Sequence, residues 1–156
     1  MIVVSDTSPF NYLLLLEAVE VLPRLYGSVI MPEAVRQEML HPGAPEVVRV
    51  WAAQLPSWII IRRPQVLLPL ALDSGERAAI SLAMEAGAGL VLMDERKGRQ
   101  EAQARNLKTI GTLGILVNAA GAGLLDLADA LAKLQQTDFY VSEKLIKTVL
   151  AAQASE

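Results

Sequence analysis

The sequence predicts an α/β protein: a three-layer, doubly wound parallel sheet of about five strands with helices on both faces. Three observations lead to that class. Short apolar runs free of charge recur along the chain and alternate with longer helix-like segments, the pattern of βαβ units joined by right-handed crossovers. The 156 residues are 53% hydrophobic and only 4% aromatic, so the core has to be packed from Leu, Val, Ile and Ala. Two of the apolar runs lead into an acid, Ile2-Val3-Val4 just ahead of Asp6 and Leu90-Val91-Leu92-Met93 directly ahead of Asp94. A single domain over 1–156 is expected, since a chain of this length buries a core without staples.

Ile2, Val3 and Val4 have the unbroken apolar character of a strand covered on both faces. Ser8 is then placed to cap the following helix and Pro9 to take its first position, where a missing N–H loses no bond. Phe10 to Leu16 is too apolar for a surface helix and is expected to pack on the sheet, with Glu17 and Glu20 on the wet side. A short helix from Leu22 closes at Gly27. The second unit repeats the grammar of the first: a strand over Ser28 to Met31, then Pro32 opening a helix that runs to Leu40. On that helix Glu38 shares faces with Ala34 and Val35 and is expected to border the core. His41 to Pro45 reads as a turn, Glu46 to Gln54 as a helix, and Trp58 to Ile61 as the third strand.

After a loop, Asp73 with Glu76 three residues on has the spacing of a capping box, and the helix it opens stops at Gly87 or Gly89. Leu90 to Met93 is the fourth strand. The charged segment Glu95 to Arg99 precedes a helix that ends near Asn106, and Lys108 to Gly111 is a short fifth strand. Thr112 is in position to cap a helix over Leu113 to Ala120, and Asp126 and Ser142 begin two more.

Composition removes several function classes. There is no cysteine, so disulfides, thiolate catalysis and thiolate metal sites are out, and any metal has to use oxygen ligands or His41, the one histidine. A net charge of −3 and a pI near 5.2 argue against nucleic acid held mainly by a basic surface, though not against nucleic acid reached through metal ions. Thr109 to Leu125, the longest uncharged run, contains Asn118 and four glycines and falls short of the ~20 apolar residues of a bilayer span. No membrane is expected, nor a signal peptide, because Asp6 interrupts any apolar leader. The expected location is the cytoplasm.

In an open α/β sheet, ligands bind beyond the carboxyl ends of the strands where the strand order reverses. If the strands before Asp6 and Asp94 are neighbours there, the two carboxylates converge, and Glu38 and Glu76 can line the same crevice. Acids gathered in this way survive by protonation or by cations, and hard oxygen ligands select Mg²⁺ or Mn²⁺. Bound metal activates water and stabilises charge developing on a phosphodiester, so phosphoryl chemistry needs no histidine.

Val4-Ser5-Asp6-Thr7-Ser8-Pro9, Glu38 after Pro32, Gly75-Glu76-Arg77-Ala78-Ala79-Ile80 and Leu92-Met93-Asp94-Glu95-Arg96-Lys97-Gly98-Arg99, in that order, resemble the PIN-domain nucleases, widespread in prokaryotes as VapC-like toxins of toxin–antitoxin pairs. The resemblance covers most of the chain. It implies strand order 3-2-1-4-5 and an Mg²⁺ or Mn²⁺ site for RNA hydrolysis, with Asp6, Glu38, Glu76 and Asp94 as metal-site acids and Ser8 in a supporting polar role. It also implies an RNA substrate and a small antitoxin partner, while the surplus apolar surface fits a homodimer. Two positions depart from the commonest toxin pattern: Glu76 stands where many members have Asp, and Leu92 where many have Thr or Ser. Ile110-Gly111-Thr112-Leu113-Gly114 resembles a less characterised branch of the family.

Each of these residues also has a plainer role open to it. Asp6 and Asp94 can begin turns, Glu38 can be a solvated helix residue, and Glu76 can serve its capping box alone. Arg96, Lys97 and Arg99 form a run of the kind usually solvated, although Arg99 beside a phosphate site can touch substrate. His41 belongs to a surface turn, and Trp51 and Trp58 are better core anchors than base platforms. Two rival functions stand beside the nuclease: a PIN-like module that binds RNA or protein without cutting, and an Mg²⁺-dependent phospho-acceptor domain. The second fits less well, because the first strand is not followed by an adjacent acidic pair, no Asp directly follows the third, and no Lys follows the fifth, Lys108 standing at its start instead.

Overall fold

The computed structural model describes residues 1–154. Five strands form one sheet: β1 (Val3–Ser5), β2 (Val29–Pro32), β3 (Ile59–Arg62), β4 (Leu90–Leu92) and β5 (Thr109–Ile110). Every pairing is parallel and the order is β3-β2-β1-β4-β5, as the resemblance implied. The chain builds outward from the central β1 to β3, then crosses back to build on its other side. The reversal point therefore lies between β1 and β4, where Ser5 stands level with Leu92 and the Asp6 N–H donates to the Leu92 carbonyl at 2.9 Å. This register brings Asp6 and Asp94 to the same end of adjacent strands.

Alternation along the strands sorts the apolar side chains into two cores. Val3, Met31 and Leu92 pack with α1 (Thr7–Leu15), α2 (Val21–Tyr26), α4 (Glu46–Ala53), α7 (Thr112–Gly121) and α8 (Leu127–Gln135). Val4, Ile30, Val91 and Met93 face α5 (Ser74–Ala86) and α6 (Arg96–Ala104). The remaining helices are α3 (Glu33–Leu40) and the C-terminal α9 (Glu143–Ala154). Phe10, Trp51 and Trp58 stack in the first core with ring centroids 5.6 and 5.9 Å apart, so both tryptophans are core anchors.

Four helix starts differ from expectation, and each difference bears on the site. α1 begins at Thr7 with Asp6 in the cap position, so Ser8 and Pro9 are its second and third residues rather than cap and first. Proline is tolerated there because the first four N–H groups of a helix lack intrahelical partners. Pro32 closes β2 and precedes the first residue of α3. The basic run Arg96 to Arg99 is the first turn of α6 instead of a loop ahead of it. Thr112 is the first residue of α7, with Gly111 at the cap, and its hydroxyl is used elsewhere.

Candidate active site

Asp6 leaves β1 and enters α1 with an extended backbone, yet it makes no side-chain cap bond. Its side chain is driven inward: the residue is 5% exposed and Oδ1 has no hydrogen-bond partner. Burial pushes its carboxyl up to about 7, opposed by the Thr7 backbone N–H and reinforced by Asp73, Glu38 and Asp94.

Glu76 is the third residue of α5. The Asp73 carboxylate accepts its N–H at 2.8 Å, which is one half of a capping box. The other half would turn the Glu76 side chain back to the backbone N–H of the cap residue. Instead Glu76 is also 5% exposed, with Oε2 buried and without a partner. Burial, followed by the carboxylates of Asp73, Asp6 and Glu95, pushes it up to about 8. The spacing therefore predicts the cap correctly; the Glu76 carboxyl also hydrogen-bonds the Asp73 side chain, and only Oε2 is left without a partner.

The other two acids are well bonded. Glu38 Oε2 accepts the Thr7 hydroxyl at 2.5 Å, and Oε1 accepts the Gly75 N–H at 2.9 Å and the Ser74 hydroxyl at 3.3 Å. It thereby links the starts of α1 and α5. Asp94 Oδ1 accepts the Thr112 N–H at 2.6 Å and Oδ2 the Thr112 hydroxyl at 2.7 Å, tying the end of β4 to the start of α7. Its pKa is raised by burial and held back by Thr112 and by Arg99.

Missing Cβ atoms make the room these carboxylates occupy. A Cβ on Gly75 would stand 2.7 Å from Glu38 Oε1 and 3.0 Å from Asp6 Oδ1, so these two acids face each other across the glycine. One on Gly98 would run into Glu76 Oε2 and Met93, and one on Gly111 would stand 2.8 Å from Asp94 Oδ1. Asp6 thus faces Glu38, and its charge also reaches Glu76. Asp94, whose charge also reaches Asp6, lines a cleft of about 740 Å³ together with Ser8 and Arg99.

A model of the family described as a PIN domain matches residues 2–156. The chain belongs to the PIN-domain family. No match is found among curated proteins or solved structures. PIN domains are generally nucleases and typically use divalent metals. Among the described residues of this PIN domain, no group of three or more His, Cys, Asp or Glu side chains is arranged to hold an ion. The donors nevertheless fit a hard cation in kind: they are all oxygens, and two of them are buried acceptors with nothing to accept from.

Sequence reasoning missed Thr7, Ser74 and Thr112, whose hydroxyls orient two of the acids, and it treated Asp73 only as a cap although its charge reaches Asp6 and Glu76. A signal was present. Thr7 follows its acid directly, and Ser74 and Thr112 open helices at the same end of the sheet.

Proposed function

We propose that this PIN domain is a metal-dependent endoribonuclease that hydrolyses RNA phosphodiester bonds. The observation that carries the proposal is the pair of buried, unpartnered carboxylate oxygens on Asp6 and Glu76 beside the strand-order reversal. A buried acceptor without a donor costs about 1–3 kcal/mol, and a cation bound between these two neighbouring acids would satisfy both oxygens. Mg²⁺ or Mn²⁺ bound there would supply an activated water and neutralise charge on the phosphodiester. Asp6 and Glu76 would hold it through those oxygens, with Glu38 and Asp94 using lone pairs left over from their hydroxyl bonds. Thr7, Ser74 and Thr112 orient the acids. Arg99, which lies near Asp94, would meet a phosphate oxygen, and Ser8, on the same cleft, would support it. The expected result is RNA cleavage that needs Mg²⁺ or Mn²⁺, stops in chelator and is lost in Asp6→Asn. Full activity in chelator or in that variant would overturn the assignment.

The family resemblance extends the proposal to the toxin of a cytoplasmic toxin–antitoxin pair. No described helix is long and apolar enough to cross a membrane. Val47, Val50, Ile60, Val66 and Leu67 are exposed, apolar surface that a second copy or a small antitoxin would cover. Sedimentation of the chain alone, and with the product of any short adjoining gene, tests both partners.

A second reading has an observation of its own. Both oxygens of Glu38 and of Asp94 already accept from hydroxyl or amide donors, which suits a PIN-like module that binds RNA or protein without cutting it. Absence of metal-dependent cleavage together with retained RNA binding would favour it.

A further inference from the structure

The chain has only seven aromatic residues, and they are unevenly spent. Phe10, Trp51 and Trp58 make the core cluster. Tyr12, Phe139 and Tyr140 all line the cleft of about 740 Å³ beside Asp94. Tyr12 fixes the segment after α8: its hydroxyl donates to Asp138 at 2.7 Å, and its ring meets Phe139 edge-on with centroids 4.9 Å apart. Tyr140 is then carried at the cleft with 89% of its surface exposed. A tyrosine ring held by a braced segment and left in water has no role in the core.

The charges at the cleft narrow what it takes. Asp94, Glu95 and Asp138 share it with one guanidinium, Arg99. That balance disfavours a run of phosphates held by charge and favours a neutral, flat group bound through its face, beside a single phosphate at Arg99. We propose that the cleft is a nucleobase subsite for single-stranded RNA, with the Tyr140 ring as the stacking platform for a base next to the scissile phosphate. This rests on the ribonuclease reading for what is cut but not for what is bound. Stacking on an aromatic ring is tolerant of base identity and requires an unpaired strand, since a duplex buries its base faces.

The test uses the Asp6→Asn chain, which is expected to bind without cutting, and a short single-stranded oligoribonucleotide carrying 2-aminopurine, whose fluorescence falls on stacking. Tyr140→Ala in that background is expected to weaken binding roughly five- to hundredfold and to abolish the quench, with Tyr140→Phe and Tyr140→Trp retaining both. The same oligonucleotide in a duplex should give no quench. Because Tyr140 is exposed, melting temperature should not change, so lost binding cannot be ascribed to unfolding. Equal affinity and equal quench in Tyr140→Ala would overturn the subsite, as would a change of oligomeric state in that variant with RNA binding intact, which would make the ring a protein contact. If the wild-type chain cuts no RNA yet shows the Tyr140-dependent quench, the nuclease reading fails and the subsite stands. Metal-dependent cutting indifferent to Tyr140→Ala, in rate and in affinity, has the opposite meaning.

Discussion

Asp6 and Glu76 on one side, and Glu38 and Asp94 on the other, are four neighbouring acids in two different states. The first pair is buried with oxygens that accept nothing, and both carboxyls are pushed up, to about 7 and about 8. The second pair has both oxygens occupied, by Thr7, Ser74 and Gly75 for Glu38 and by Thr112 for Asp94. The difference teaches that the acids do not have equal parts. Through their hydrogen bonds Glu38 joins the starts of two helices and Asp94 the end of a strand to the start of a helix, whereas Asp6 and Glu76 each keep a buried oxygen without a donor, the feature on which the proposed metal site rests.

The sharpest test of that division is Glu76→Gln. The cap of α5 uses the Asp73 carboxylate and the Glu76 backbone, so the amide leaves the helix start intact. Metal-dependent RNA cleavage is expected to fall on the order of a thousandfold, the several kcal/mol that a bound metal contributes, while the melting temperature does not drop. A variant that cuts normally would return Glu76 to a purely structural role.

The next largest effect concerns stability without metal. The Asp6 carboxyl lies at about 7 in the folded chain against an ordinary 3.8. Below about pH 4 both folded and unfolded chains hold the proton and nothing is lost. As pH rises from there to about 7 the unfolded chain releases it and the folded chain does not, so stability falls, by on the order of 4 kcal/mol in all. Metal-free Asp6→Asn should therefore melt above wild type near pH 8, and the gap should close on acidification. Mn²⁺ should reverse the order at neutral pH, because it stabilises only the chain that binds it. Parallel melting curves in chelator and in Mn²⁺ check both signs, and an apo variant that melts lower at pH 8 would break the contrast.

Gly75→Ala separates the two pairs by force. Its Cβ would press on Glu38 and Asp6 together, and overpacking of this kind costs about 1–3 kcal/mol. The variant should also bind Mn²⁺ more weakly, which calorimetry reads independently of cleavage. Equal affinity would mean that Glu38 and Asp6 do not act as one site.

The smallest expected effect is Thr112→Val, which removes the hydroxyl bond to Asp94 and keeps the backbone one. About 1 kcal/mol of stability should go. Cleavage should fall by roughly tenfold to a hundredfold, the usual loss when a group that orients a ligand is removed. Unchanged cleavage with lowered stability would make the Asp94–Thr112 link a helix anchor and nothing more.

Much of the framework was legible because it rests on local chemistry. The apolar runs before Asp6 and Asp94, the capping pair Asp73 and Glu76, and the stops at Gly27 and Gly87 are short-range patterns, and each element they mark is present in the structure. The helix starts were less legible, because Ser8, Pro32 and Thr112 suit more than one position within a turn and packing chose among them. The cleft with Tyr140 was not legible at all. It forms where the segment after α8 folds back on α1, a contact between Tyr12 and Asp138 that spans 126 residues.

By itself, then, the order of residues determined the strands, the helices and the end of the sheet at which the acids collect, since side-chain period and turn chemistry act within a few residues. Which carboxylate oxygens find a donor was decided only by tertiary structure. The donors to Glu38 and Asp94 lie 31 and 18 residues away at the hydroxyls of Thr7 and Thr112, and the space around the acids depends on glycines brought in from α5, α6 and the start of α7. Burial without a partner is a property of that assembled volume. No residue type or spacing carries it, because the same carboxylate in the unfolded chain is satisfied by water.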